Sequence, residues 1–491
     1  MVERGIPNQQ DRARMTQQST SNPEIVINGR FLMQPVTGVQ RVARELTRAL
    51  DRLVAEDGLP VALRLVCEAG AAVDDLGLQV TSVERAESRW GGHAWEQLVL
   101  PGRVRGGHLL CLGNTAPFAS LHAGQSVSVM IHDLSYRQFP GAYRLHYRLG
   151  HHFMLPSLLR RARMIITVSE REKAMLAALR PEARRRIRVA QNGGWSSSPA
   201  GAEAAEPTGV EPEPGYMLFV GSLSRRKNIH GVLAAAVRLA REDGLDTLIV
   251  GGGSDILSPI TGDIPADVAH LVRFTGPVTE LDALGQLYRN AGCLLFPSFY
   301  EASPLPPIEA MHFGCPVVVS AIPAMTERCG TAAVYCDPHD VDDMVAAVRR
   351  VLADPARLAA KGRLHAAHWT WRDQAAGVLC AVLGSGYESA RRSDPPGEVS
   401  ERGIFFCGKS ASAGALPAQD RGNGEQQDGA IEDQRTRSGI SEIKGNAAAV
   451  TCRVLPLDLP EPGNAGLHAA IDREVAAIAH NLRRRDRTRA D

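Results

Sequence analysis

Short apolar runs alternate with amphipathic stretches through most of this chain, and the alternation stops once and then restarts. That rhythm constrains the fold most, because strands separated by helices pair in parallel and are covered on both faces. EIVIN (24–28) predicts a buried strand, followed from Gly38 to about Leu53 by a helix with Val39, Val42, Leu46 and Leu50 on one face. VALRLVC (61–67), HLLCL (108–112), VSVMI (127–131), MIITV (164–168) and RIRVA (186–190) predict further strands, with helices at 142–162 and 170–179. The Gly-, Pro-, Ser- and Ala-rich stretch at 193–215 breaks the pattern as a linker would. Strands are expected again at 216–221, 247–251, 271–276, 293–297 and 315–320, with helices at 228–242, 279–290, from about 306, at 340–353 and across 356–383.

The expected organisation is a polar N-terminal segment (1–23), an α/β domain (24–195), a linker (196–214), a second α/β domain (215–384) and a low-complexity tail (385–491). Both terminal segments have the composition of disordered chain. In the tail, Leu467, Ile471, Val475, Ile478 and Leu482 keep the spacing of an amphipathic helix. A chain of 491 residues is long enough for two such domains and a remainder. Its formal net charge of +1 argues against a dedicated nucleic-acid binder. Nine scattered cysteines include no Cys-x-x-Cys pair, so neither a zinc site nor a disulfide scaffold is expected. The first 23 residues lack an apolar leader, and no apolar run reaches the ~18 residues of a membrane span. A cytoplasmic location is expected, with a peripheral position at the inner face of the cell membrane as the membrane-bound option.

The most informative stretch is FPSFYEASPLPPIEAMHFGCPVVVS (296–320). It follows a buried strand, at the carboxyl edge of a sheet where open α/β folds bind ligands. Pro306 and Pro307 suit a first helical turn, which puts Glu309 just inside a helix N-terminus. A carboxylate there either complements the helix dipole or accepts hydrogen bonds from vicinal hydroxyls such as those of a ribose. Only five of the 55 basic residues are lysine, so Lys227, in the basic turn Arg225–Arg226–Lys227, carries more information than most. By its residues alone that turn reads as a solvated basic turn. His132 ends a strand, and Asp133 beside it is expected to cap the turn and orient the imidazole.

Glu301 and Glu309 enclose seven residues, and the segment resembles the Glu-x7-Glu signature of retaining glycosyltransferases of family 4, which have the GT-B fold. Other fragments recur in the order that family shows. They include INGRFLMQPVTGVQRVARELTRAL, VMIHDLSYRQFP, MIITVSEREKAML, MLFVGSLSRRKNIHGVLAAAVRL and the Trp369–Trp371 pair. The resemblance implies two facing Rossmann-like domains with a cleft between them, the first for acceptor and the second for donor, and a last helix crossing back to the first. It also implies that Glu309 holds the nucleotide ribose, Glu301 the donor sugar, and Lys227 the leaving diphosphate, with Arg226 assisting. Gly38 and Leu305 join the donor-binding set, and His132 faces the reacting sugar. Residues His132, Lys227 and Glu301 are then the catalytic group. No metal or other cofactor is implied, since the nucleoside-diphosphate sugar is a co-substrate.

The chain departs from that family at two places. It has Ala302–Ser303–Pro304 where many relatives have Gly-Phe-Gly, and Ser222 where many have arginine. Residues 141–188 hold twelve basic residues against three acidic ones, either a solvated arginine-rich face or a surface drawn to anionic lipid. The implied reaction is hexose transfer, with GDP-mannose as leading donor, to a hydroxyl of a lipid-linked oligosaccharide in bacterial surface polysaccharide synthesis. A silent nucleotide-sugar-binding scaffold and a sugar-nucleotide epimerase are the competing readings.

Overall fold

The computed structural model describes residues 22–140, 143, 145–195, 215–252 and 264–384. Most of the N-terminal segment, the whole linker and the whole tail with its apolar island lie outside them. The first sheet comprises β1 (Glu24–Asn28), β2 (Ala62–Glu68), β3 (Ser82–Ala86), β4 (His108–Cys111), β5 (Val127–Ile131), β6 (Met164–Thr167) and β7 (Ile187–Val189). Its order is β3-β2-β1-β4-β5-β6-β7, and every pairing is parallel. Helices α1 (Gly38–Glu56), α2 (Gly92–Leu98), α3 (Phe118–His122), α4 (Ser135–Gln138), α5 (Leu145–Arg161) and α6 (Glu170–Leu179) lie between its strands.

The second sheet repeats the plan with β8 (Met217–Val220), β9 (Thr247–Val250), β10 (Val272–Gly276), β11 (Cys293–Phe296), β12 (Val317–Ser320) and β13 (Val334–Cys336). Its order is β10-β9-β8-β11-β12-β13, again parallel throughout. Its helices are α7 (Ile229–Asp243), α8 (Leu281–Asn290), α9 (Pro306–His312), α10 (Pro323–Cys329), α11 (Val341–Ala353) and α12 (Pro355–Ala366). A last helix, α13 (Trp371–Leu383), starts at Thr370, whose hydroxyl accepts the Asp373 N–H.

Strand order reverses between β1 and β4 in one sheet and between β8 and β11 in the other, which opens a crevice at each reversal. The central strands are buried on both faces because each is a short run of mostly apolar residues. Ala375, Val378, Leu379 and Val382 of α13 pack with Leu46 and Leu50 of α1, so the last helix does return to the first domain. Gly193 and Gly194 turn the chain against that crossing. A Cβ on Gly193 would stand 2.4 Å from Trp371 Cδ2, so only glycine admits this contact. Gly194 donates its N–H to the Trp369 carbonyl at 2.8 Å, and the buried Arg328 donates to the Gly193 carbonyl at 2.7 Å. No helix among the described residues is long and apolar enough to cross a membrane.

Candidate active site between the two sheets

Loops at the carboxyl ends of β1, β5, β8 and β11 supply the residues singled out above. Lys227 sits not in a helix but in a 3-10 turn, Arg225–Lys227, after β8. Asn228 ends that turn with φ 57°, a left-handed conformation that asparagine tolerates, and its side chain accepts the Gly231 N–H to start α7. The reversal leaves Arg225 exposed and turns Arg226 and Lys227 inward.

Lys227 is buried, its Nζ 2.6 Å from Glu301 Oε1 and 4.6 Å from the Phe296 ring centroid. Arg226 Nη1 lies 3.3 Å from the same carboxylate oxygen and donates to the Tyr300 carbonyl at 3.0 Å. Burial alone pushes the Glu301 carboxyl up, but Lys227 and Arg226 outweigh it and hold it below the usual carboxylate range. Burial, with Arg226 adding to it, pulls the Lys227 ammonium below its ordinary value, against the pull of Glu301. Two cations on one carboxylate leave a net positive pocket, the sign that suits a diphosphate.

Glu309 lies in the first turn of α9 and is almost wholly buried, with one oxygen hydrogen-bonded and the other, which has no hydrogen bond, in an ion pair. Tyr288 donates its hydroxyl to Oε2 at 3.0 Å, and Arg41 Nη1 stands 2.7 Å from Oε1. Arg41 is one helical turn past Gly38 on α1, so the first domain reaches across to this carboxylate. The Arg41 guanidinium also lies 5.7 Å from the Trp195 ring centroid. The Gly38 position is exposed at the start of α1, and a Cβ there would meet nothing within 4 Å. Leu305 is the residue before α9; it is buried and packs, with Ala302, into the first domain's core. Asn192 donates to the Ser303 carbonyl at 3.0 Å, so the loop that departs from Gly-Phe-Gly anchors the hinge.

His132 is buried at the end of β5 and donates from Nε2 to the Leu112 carbonyl at 2.8 Å, which leaves Nδ1 as the acceptor. Burial lowers its pKa and keeps the ring neutral. Asp133 accepts the Ser135 N–H at 2.9 Å, so it does cap the turn. The imidazole, however, is oriented by the Leu112 carbonyl, contrary to the expectation for Asp133.

The fold thus brings Lys227, Arg226 and Glu301 into contact, and places Glu309 on the next helix with Leu305 before it. His132 and Gly38 come from the opposite domain. Arg41, Tyr288 and Tyr300 were not foreseen. Arg41 had one available signal, its position one turn after Gly38. The others act through contacts between distant segments, for which no local pattern exists.

Comparison with known proteins fits this geometry. Residues 214–354, which carry Lys227, Glu301 and Glu309, match the family of group 1 glycosyl transferases. The chain carries a group 1 glycosyltransferase domain. Over 167 residues it is 32% identical to O-antigen chain mannosyltransferase B of Escherichia coli, which covers 32% of this chain and 43% of that protein. The chain spans less than half the length of the curated relatives it matches. Among solved structures, sucrose-phosphate synthase from Thermosynechococcus elongatus superposes with a TM-score of 0.55 at 20% identity, covering 75% of this chain and all of that one. Anabaena HepE, solved with UDP and glucose, also gives 0.55, at 14% identity, covering 74% of this chain and 100% of its own. The fold is GT-B, two Rossmann-like domains joined at the Gly193–Trp371 crossing.

Proposed function

We propose that the chain is a retaining glycosyltransferase that moves a hexose from a nucleoside-diphosphate sugar to a hydroxyl acceptor. The buried Arg226–Lys227–Glu301 cluster at the β8/β11 reversal carries this reading. Its cations face the place where negative charge grows as a diphosphate departs, the interaction that most lowers such a barrier. Glu301 holds the sugar hydroxyls, and Glu309, on exchanging Arg41, holds the ribose. The anomeric carbon's bond to the diphosphate breaks as its bond to the acceptor oxygen forms on the same face, and the acceptor proton passes to the leaving phosphate. His132, neutral and fixed through Nε2, offers Nδ1 to a sugar hydroxyl. Meeting of the two domains supplies proximity and excludes water.

GDP-mannose is the leading donor, supported by the O-antigen mannosyltransferase relative, and UDP-glucose the next, since HepE was solved with UDP and glucose. A lipid-linked oligosaccharide acceptor fits the outer face of α5. Leu145, Leu149 and Phe153 recur every four residues there, 64%, 47% and 62% exposed, and Phe118 of α3 is also exposed. The helix bears no acidic side chain, and its last turn carries the exposed Arg160 and Arg161. An apolar stripe with cations and no acid suits peripheral contact with anionic membrane.

The test is release of GDP from GDP-mannose and UDP from UDP-glucose by the purified chain. The expected result is release by wild type from one of them and loss of that release in Glu301→Gln. Binding of either nucleotide with no release from any donor–acceptor pair would instead make the chain a silent binding protein.

A further inference from the structure

Tyr300 directly precedes Glu301, yet its side chain leaves the donor domain and enters the acceptor domain. It is 1% exposed. Its hydroxyl donates to Glu172 Oε1 on α6 at 2.7 Å and accepts the Leu134 N–H at 3.2 Å. The Arg171 guanidinium lies 4.9 Å from the ring centroid, and the Phe139 ring 6.1 Å away. A second contact runs alongside, where Glu327 of α10 accepts the Glu170 N–H at 2.8 Å at the start of α6 and the Gln191 side-chain amide.

These contacts have a consequence for alignment. Leu134 is two residues after His132, and Tyr300 is one before Glu301. Arg226, which touches Glu301, also donates to the Tyr300 carbonyl. One side chain therefore fixes the distance between the His132 loop and the Glu301 loop. We infer that Tyr300 is a positioning residue, a plug whose seating in the socket formed by Glu172, Leu134, Arg171 and Phe139 brings the two halves of the candidate active site into register. The inference rests on the transferase reading for what is aligned, but not for the seating itself.

Glu172 gives the socket a second property. Its Oε2 is buried and without a hydrogen-bond partner. Burial pushes its carboxyl up to about 7, and Asp133 on the neighbouring loop adds to this, against donation from Tyr300, the charge of Arg171 and the Leu134 N–H. Donation from the seated Tyr300 hydroxyl works against that rise, because it favours the charged carboxylate.

Two measurements on the full chain separate this inference from the transferase reading. In Tyr300→Phe, the affinity for GDP and UDP stays within about twofold, because Lys227 and Glu309 still fold within the donor domain, while nucleotide release from the donor sugar slows about tenfold or more, the scale of losing the hydroxyl's two buried hydrogen bonds. Hydrogen exchange over residues 132–138 rises in the same variant, with β1 and β8 unchanged. Glu172→Gln, which keeps a neutral acceptor for the tyrosine hydroxyl, retains more turnover than Tyr300→Phe. Unchanged turnover and unchanged exchange in Tyr300→Phe would overturn the inference while leaving the transferase reading intact. A wild type that binds neither nucleotide would overturn the transferase reading, and exchange at 132–138 would still decide the seating.

Discussion

Replacing Lys227 by methionine removes one charge and keeps most of the apolar stem. In the wild type, Nζ lies 2.6 Å from Glu301 Oε1. At an effective dielectric of about 20, two unit charges roughly 3 Å apart attract by about 5 kcal/mol. Part of that is offset, since the variant no longer buries an ammonium, and Arg226 remains 3.3 Å from the carboxylate. The expected loss is about 3 kcal/mol, the low end for stripping one partner from a buried pair. For a domain of this size that corresponds to a fall in Tm of roughly 6–12 °C. The loss should depend on pH in a definite direction. Lys227 and Arg226 hold the Glu301 carboxyl low in the wild type, so this stability is present above the ordinary carboxylate value and is lost as pH falls through the lowered one. The variant can recover by protonating Glu301, so its deficit shrinks between pH 7.5 and 5. Thermal unfolding of Lys227→Met and of Lys227→Met/Glu301→Gln at both pH values is the assay, and the double variant should recover much of the loss at pH 7.5. A deficit below 1 kcal/mol, or one that does not vary with pH, would refute the reasoning.

Three further outcomes follow from the same structure. Burial, with Arg163 nearby, pushes His108 down to about 4, so the unfolded chain binds more protons between there and the ordinary value; stability rises with pH across that window, and His108→Gln should flatten the rise in urea midpoints between pH 4.5 and 7. Phe153→Glu, on the exposed face of α5, should abolish co-sedimentation with vesicles rich in phosphatidylglycerol while leaving Tm within about 2 °C, because the residue is 62% exposed. Gly193→Ala should lower Tm by several degrees, about 1–3 kcal/mol of overpacking, since its Cβ would overlap Trp371.

The strands that became the sheet centres were legible because each is a short apolar run, and VSVMI and EIVIN match β5 and β1 residue for residue. The edge strand β3 was not, because SVERA is polar and mostly exposed and so lacks an apolar pattern. β13 is only three residues long, too short for alternation to register. The helical region 356–383 is two helices, α12 and α13, divided by the hinge segment that carries Trp369. At the site, Glu301, Glu309 and Lys227 could be picked out because they share two short segments after strands. That Lys227 turns inward depends on the left-handed Asn228, a conformation that composition does not announce. The contacts that join the domains were invisible for a different reason. Arg41 with Glu309, and Tyr300 with Glu172, are pairs far apart in sequence that only the facing of two sheets brings together.

The central claim is that the cleft beside Glu309 is a nucleotide-sugar site. Calorimetric titration of GDP and UDP into the full chain and into Glu309→Ala tests it most directly. Wild type is expected to bind one of them, and the variant, still folded, to bind it at least about tenfold more weakly, as loss of a carboxylate hydrogen-bonded to ribose hydroxyls entails. Equal affinity in the two proteins, or no binding to folded wild type at millimolar nucleotide, would contradict it.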